Sequence, residues 1–226
     1  MTQDKNSAHS AIYLKTVKCP LCQREFKEPA PKIASLRISK RDSDNFTYYK
    51  EENPYYYEVF LCNGCGYAAM NNDFNNLKDY QKEKILKNIT VRWTPRSYTT
   101  PYDEMIAIER YKLALITAIV SEGKKSTIGM ILLRIAWMYR SLKSSEELLY
   151  LKDALIALEE AYSLEEFPIY NLEELSFKYL LGELHRRLHN NTEALRYFGD
   201  VISSPKAPPR LKNLARDQKD KIKNLY

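Results

Sequence analysis

Glycine is scarce, with 6 in 226 residues, and proline stands at 10, so the chain is neither collagen-like nor of low complexity. Cysteine is equally sparse. All four copies fall in two C-x-x-C pairs, which leaves none over as a nucleophile. There is no phosphate-binding glycine loop and no G-x-S-x-G elbow. The longest apolar run, residues 113–120 with Thr117 inside it, is far short of the roughly 20 residues a membrane helix needs. Nor does charge of one sign dominate: 35 basic against 29 acidic residues allow a nucleic-acid partner without requiring one. These absences point to a non-catalytic protein with no membrane partner, and the N-terminus does not read as a secretory signal, so a cytoplasmic location is expected.

What is present is organised unevenly. Residues 1–101 carry 16 basic and 11 acidic groups, residues 102–205 carry 12 and 16, and residues 206–226 carry 7 and 2. Those shifts predict two units and a basic terminal helix. The first unit alternates β-prone runs, at residues 34–39 and 55–61, with Pro, Asn and Gly breaks and reads as a small sheet. Phe74, Leu77, Ile85, Leu86 and Ile89 then recur at helical spacing, with Asn72 or Asp73 as the expected cap. Residues 90–100 follow neither period and read as a connector. Helices are expected near 102–122, 125–141, 145–162, 171–189, 191–203 and 207–224, with start signals at Thr100-Pro101, Ser144-x-x-Glu147 and Asn171-x-x-Glu174. Their short connections make neighbours antiparallel, as in a bundle or solenoid. The predicted class is α+β, mainly α, divided as 12–72, 73–100 and 101–226.

Cys19-Pro-Leu-Cys22 and Cys62-Asn-Gly-Cys65 each offer two sulfurs from a tight turn. Together they can form a closed tetrahedral thiolate cage, which favours one structural zinc per chain and leaves no open position for catalysis. Iron in the same cage and a redox dithiol are the alternatives. Gln23 stands where a glycine is expected, which weakens the geometry of the first turn but not its ligand count. The 39 residues between the pairs hold Arg37, Lys40, Arg41, Tyr48 and Tyr49, cations beside rings that suit single-stranded nucleic acid. The simpler reading is tyrosine packing, with Arg37 and Arg41 paired to Asp42, Asp44 or a nearby Glu.

The run Leu36-Arg-Ile-Ser-Lys-Arg-Asp-Ser-Asp, then Asn53-Pro-Tyr-Tyr-Tyr-Glu-Val, then Cys62-Asn-Gly-Cys-Gly-Tyr-Ala resembles the bacterial family catalogued as domain of unknown function 2225. So do Ile135-Ala-Trp-Met-Tyr-Arg140 and Leu181-Gly-Glu-Leu-His-Arg-Arg187. The resemblance implies a zinc-ribbon-like part, a tetratricopeptide-like part and a cytoplasmic bacterial protein; it brings no activity.

In a tetratricopeptide register, Gly182 and Ala194 take the small positions where two helices touch, Phe198 takes the large one, and Pro205 lies near the end. Ala136 starts a second match in which Ala154, Leu158 and Ala161 arrive six residues late, as though the turn were longer. That resemblance implies a partner face of Met130, Leu133, Trp137, Arg140 and Ser141 on one repeat and Ser176, Tyr179, Glu183, Arg186 and Arg187 on the next. Exposed rings beside arginines suit a protein partner that offers an acidic peptide. The alternative buries Trp137 and pairs the arginines with Glu146, Glu147 or Glu183. His185 and His189 stand four apart, but the glutamate of a metalloprotease motif and a third ligand are missing.

Overall fold

The computed structural model describes residues 11–224. Contacts divide it into two units, one running to Lys40 and resuming over Thr47–Thr117, the other joining Arg41–Phe46 to the chain from Ala118 onward.

The first unit is built on short antiparallel ladders. Strands β1 (Ile12–Lys18) and β2 (Glu25–Pro31) pair with Val17 opposite Phe26, and the turn between them carries the first two cysteines. Strands β5 (Val59–Leu61) and β6 (Ala68–Met70) pair with Leu61 opposite Ala68, and their turn carries the other two. Between them lie β3 (Ile38–Arg41) and β4 (Thr47–Tyr49), a third two-stranded ladder. The expected strand at 55–61 is thus confined to its end, because Asn53 accepts a bond from the Tyr55 amide and winds Pro54–Tyr57 into a 3-10 turn.

Helix α1 (Asp79–Asn88) starts later than its apolar spacing predicts. Phe74 instead sits at the centre of an aromatic cluster, 4.8 Å from Tyr67, 5.6 Å from Phe60 and 6.0 Å from Phe26 between ring centroids. Gln81 accepts from the Lys78 amide at 3.1 Å, so the start is set there rather than at Asn72 or Asp73. The core around this cluster also takes in Val17, Ile85 and three of the cysteines.

Helix α2 (Glu104–Val120) begins at Asp103, whose carboxylate accepts from the Ile106 amide at 2.8 Å, and not at Thr100. Its contacts explain why the division by contacts differs from one at residue 101. Arg110 donates to Glu28 and to the Val59 carbonyl, both at 2.7 Å, and Tyr111 donates to the Tyr55 carbonyl at 2.6 Å. Glu28 also accepts from the Leu61 amide at 2.8 Å. Burial pushes its carboxyl above the usual range, while Arg110 and that amide pull it back.

The second unit contains α3 (Lys125–Ser141), α4 (Glu146–Leu164), α5 (Glu174–Arg187), α6 (Asn191–Ser203) and α7 (Pro209–Lys223). Short turns fold α3 on α4 and α5 on α6. A side-chain carbon on Gly182 would lie 2.9 Å from the Phe198 ring, so only glycine admits that approach, and Gly129 meets Leu158 in the same way. The expected longer turn accounts for only one of the six extra residues, 142–145 against 188–190; the other five are helical, lying in α4 before Ala154. Helix α4 follows Ser145, with the Ser144 hydroxyl accepting from the Glu146 amide at 3.3 Å, whereas α5 follows Glu173 rather than Asn171, where Ile169 and Leu172 form a bridge that uses the Asn171 turn. His185 is buried, stacks on Tyr197 and meets Glu159 through Nε2 at 3.0 Å.

Candidate functional site

Two constellations carry chemistry, one in each unit. In the first, the four sulfurs lie within 4.8 Å of one another. Cys19 and Cys65 are 3.7 Å apart and Cys22 and Cys62 are 3.5 Å apart, close to the roughly 3.8 Å edge of a tetrahedron with metal–sulfur bonds of about 2.3 Å. Both cysteine turns have one construction. The Cys19 amide donates to the Arg24 carbonyl and Gln23 donates back to Cys19; the Cys62 amide donates to Tyr67 and Gly66 donates back to Cys62.

Backbone amides aim at the sulfurs: those of Leu21 and Cys22 favour a Cys19 thiolate, and that of Gly64 favours one at Cys62. Among the sulfurs themselves one thiolate is favoured and more are opposed. Hydrogen bonds from Cys19 and then Cys65 draw Cys62 far below the thiol range, whereas bonding to Cys62 pushes Cys19 up and bonding to Cys19 pushes Cys65 up. Four thiolates coexist only around a cation, so the donor set fits a metal ion.

Gln23 and Gly66 occupy equivalent places and both adopt left-handed backbone, φ +62° and +78°. The missing glycine therefore leaves the first turn intact, with the Gln23 side chain bonded to the Pro20 carbonyl at 3.2 Å. The cost is confined to strain in the backbone. Gln23→Gly should stabilise the unit by about 0.5–1 kcal/mol, the relief of left-handed strain less the entropy of glycine. Gly66→Ala should destabilise it by about 2–3 kcal/mol, because the new carbon would lie 2.6 Å from the Trp93 ring at a positive φ. Thermal melts of the two variants should move in opposite directions.

The expected connector is strapped to this second turn. Trp93 Nε1 donates to the Asn63 carbonyl at 2.9 Å, Thr90 Oγ1 donates to the Cys65 carbonyl at 2.9 Å, and Asn63 exchanges two bonds with the Arg96 backbone.

The basic and aromatic strip is dispersed. Arg37 donates to the carbonyls of Ala34 and Leu36, the Lys40 ammonium lies 5.0 Å from the Tyr48 ring centre, and Tyr49 meets Tyr55 edge-on. Tyr48 and Tyr49 are partly buried, whereas Arg37, Lys40 and Arg41 are exposed.

The second constellation lies between α3 and α5. Trp137 and Tyr179 are 3% and 2% exposed, which corrects the expectation of exposed anchors. They are covered by residues of the same unit, Asp42–Phe46. Asp44 is fully buried; it accepts from Trp137 Nε1 at 3.0 Å and from both terminal nitrogens of Arg140 at 2.7 and 3.1 Å. Asp42 accepts from Arg140 at 3.1 Å, and Tyr179 donates to the Ser43 carbonyl at 3.0 Å. Phe46 stacks on Trp137 at 5.2 Å. Arg187 stands 3.4 Å from Asp44 and 3.7 Å from Asp42.

The arginines keep helix-borne partners as well: Arg140 donates to Glu147 at 2.7 Å, and Arg186 and Arg187 both donate to Glu183. These contacts agree with the alternative that buries Trp137 and pairs the arginines with Glu147 and Glu183. The other acids and the ring that meet these side chains come from the run Arg-Asp-Ser-Asp-Asn-Phe at residues 41–46, which nothing in the sequence ties to Arg140.

A family model described as "Uncharacterized protein conserved in bacteria" matches residues 12–222. No curated protein and no solved structure matches the chain.

Proposed function

Because the chain belongs to the bacterial family catalogued as domain of unknown function 2225, whose description names no activity, we propose a function from the sites alone: a non-catalytic, cytoplasmic adaptor. The four cysteines hold one structural zinc, since an all-sulfur tetrahedral set suits that ion and closes its coordination. The second unit is a tetratricopeptide-like pair of helical hairpins that takes a protein partner in the groove between α3 and α5. One observation carries this reading: Trp137 and Arg140 grip the Asp44 carboxylate, so the groove has the donors that an acidic peptide requires.

The test is affinity capture from the bacterial host with wild-type protein and with Trp137→Ala, each with and without nuclease. A protein retained after nuclease and lost with Trp137→Ala supports the adaptor. Loss of every partner on nuclease treatment supports single-stranded nucleic acid instead, and a partner indifferent to Trp137 moves the site elsewhere.

A further inference from the structure

We infer that the groove between α3 and α5 is shaped for a partner segment of the pattern acid-x-acid-x-aromatic, and that Asp42–Phe46 is the chain's own copy of that ligand, displaced when the partner binds. The inference rests on the adaptor reading and names its ligand class and its regulation.

Recognition of Asp42–Phe46 runs mainly through side chains spaced two apart. Asp42 and Asp44 meet the Arg140 fork, and Phe46 lies on the Trp137 ring. From the backbone of the segment, the Ser43 carbonyl accepts the Tyr179 hydroxyl. A peptide supplied in trans can offer all of these groups.

The groove is also built to stand without its occupant. Arg140 is held by Glu147, and Arg186 and Arg187 by Glu183, so each guanidinium keeps an acid and an orientation when Asp42 and Asp44 leave. Three arginines against two glutamates leave one positive charge in excess, which favours another acidic segment.

The occupant, for its part, is a turn closed on itself. The Asp42 amide donates to the Phe46 carbonyl at 2.7 Å, the Asn45 amide donates to Asp42 at 3.0 Å, and Asn45 has φ +70°. It can therefore depart as one piece. Tethering gives it an effective concentration on the order of millimolar, so a free peptide of equal quality competes poorly until the tether's hold is weakened.

The probe is a synthetic peptide of residues 38–49, titrated into the full chain labelled with 5-fluorotryptophan. With two tryptophans in the chain, fluorine NMR reads Trp137 at the groove and Trp93 at the cysteine turn as an internal control. Two variants open the groove by different means. Asp44→Ala with Phe46→Ala removes the gripped groups, and Ser43→Asp sets a carboxylate where the hydroxyl now lies 2.6 Å from Glu183.

Both should bind the peptide at least tenfold more tightly than wild type, with only the Trp137 signal moving. Asp42→Asn with Asp44→Asn in the peptide, or Phe46→Ala, should weaken binding at least tenfold. The inference is overturned if folded variants show no saturable binding, if binding ignores the peptide's acids, or if both variants unfold the helical unit. A concentration-dependent dimer in which a second copy refills the groove also overturns it. Peptide binding without any captured host protein sinks the adaptor reading alone; a captured partner with no peptide binding sinks the inference alone.

Discussion

Stripping the metal with a strong chelator, or replacing Cys62 with serine, should unfold the first unit and release one equivalent of metal per chain. Structural zinc in small sites is worth about 10–16 kcal/mol of folding free energy at neutral pH. A whole domain is usually stable by only about 5–15 kcal/mol, so the unit has no reserve that could replace the ion. The dependence is acute here because Cys19, Cys62 and Cys65 belong to the same core as Val17, Phe60, Tyr67 and Phe74. Without a cation, the thiols that border that core must stay protonated or repel one another. Elemental analysis and amide exchange check this together: metal should fall to zero and the β5–β6 amides should lose protection. A purified chain that carries no metal yet keeps those amides protected would refute it.

Arg140→Ala should lower stability by about 2–4 kcal/mol. It removes the main partner of a carboxylate that is fully buried at Asp44, and breaking a buried pair from one side costs about 3–5 kcal/mol. The loss is capped, because the 42–46 turn can swing into water and rehydrate Asp44. Asp44→Ala should cost less, about 1–2 kcal/mol, since Arg140 keeps Glu147. Together the two changes should cost less than the sum of the single ones, a coupling of about 1–3 kcal/mol in urea denaturation. Arginines presented freely to a partner would instead leave stability unchanged.

The four-cysteine cluster was legible because its information is local: two C-x-x-C turns state the type, number and spacing of the sulfurs. Helices α3 and α6 were legible because periodicity and short connections are local as well, and α3 falls on 125–141 as expected. Strands β1 and β2 were hidden. The second reads Glu-Phe-Lys-Glu-Pro-Ala-Pro, and two prolines in seven residues mask a strand that tolerates them only because its partner lies on one side. The start of α1 was misplaced because Phe74 and Leu77 fit a helical period while Phe74 serves an aromatic cluster. The groove's occupant was invisible for another reason. Asp44 and Arg140 are 96 residues apart, and no period or motif links them.

The most direct measurement is amide exchange on the full chain with and without the protein captured from the host. Exchange should quicken at Asn45 and Phe46, where the turn is expelled, and slow along α3 and α5, where the partner takes its place. Protection that appears at the cysteine turns while residues 42–46 and both helices stay unchanged would contradict it.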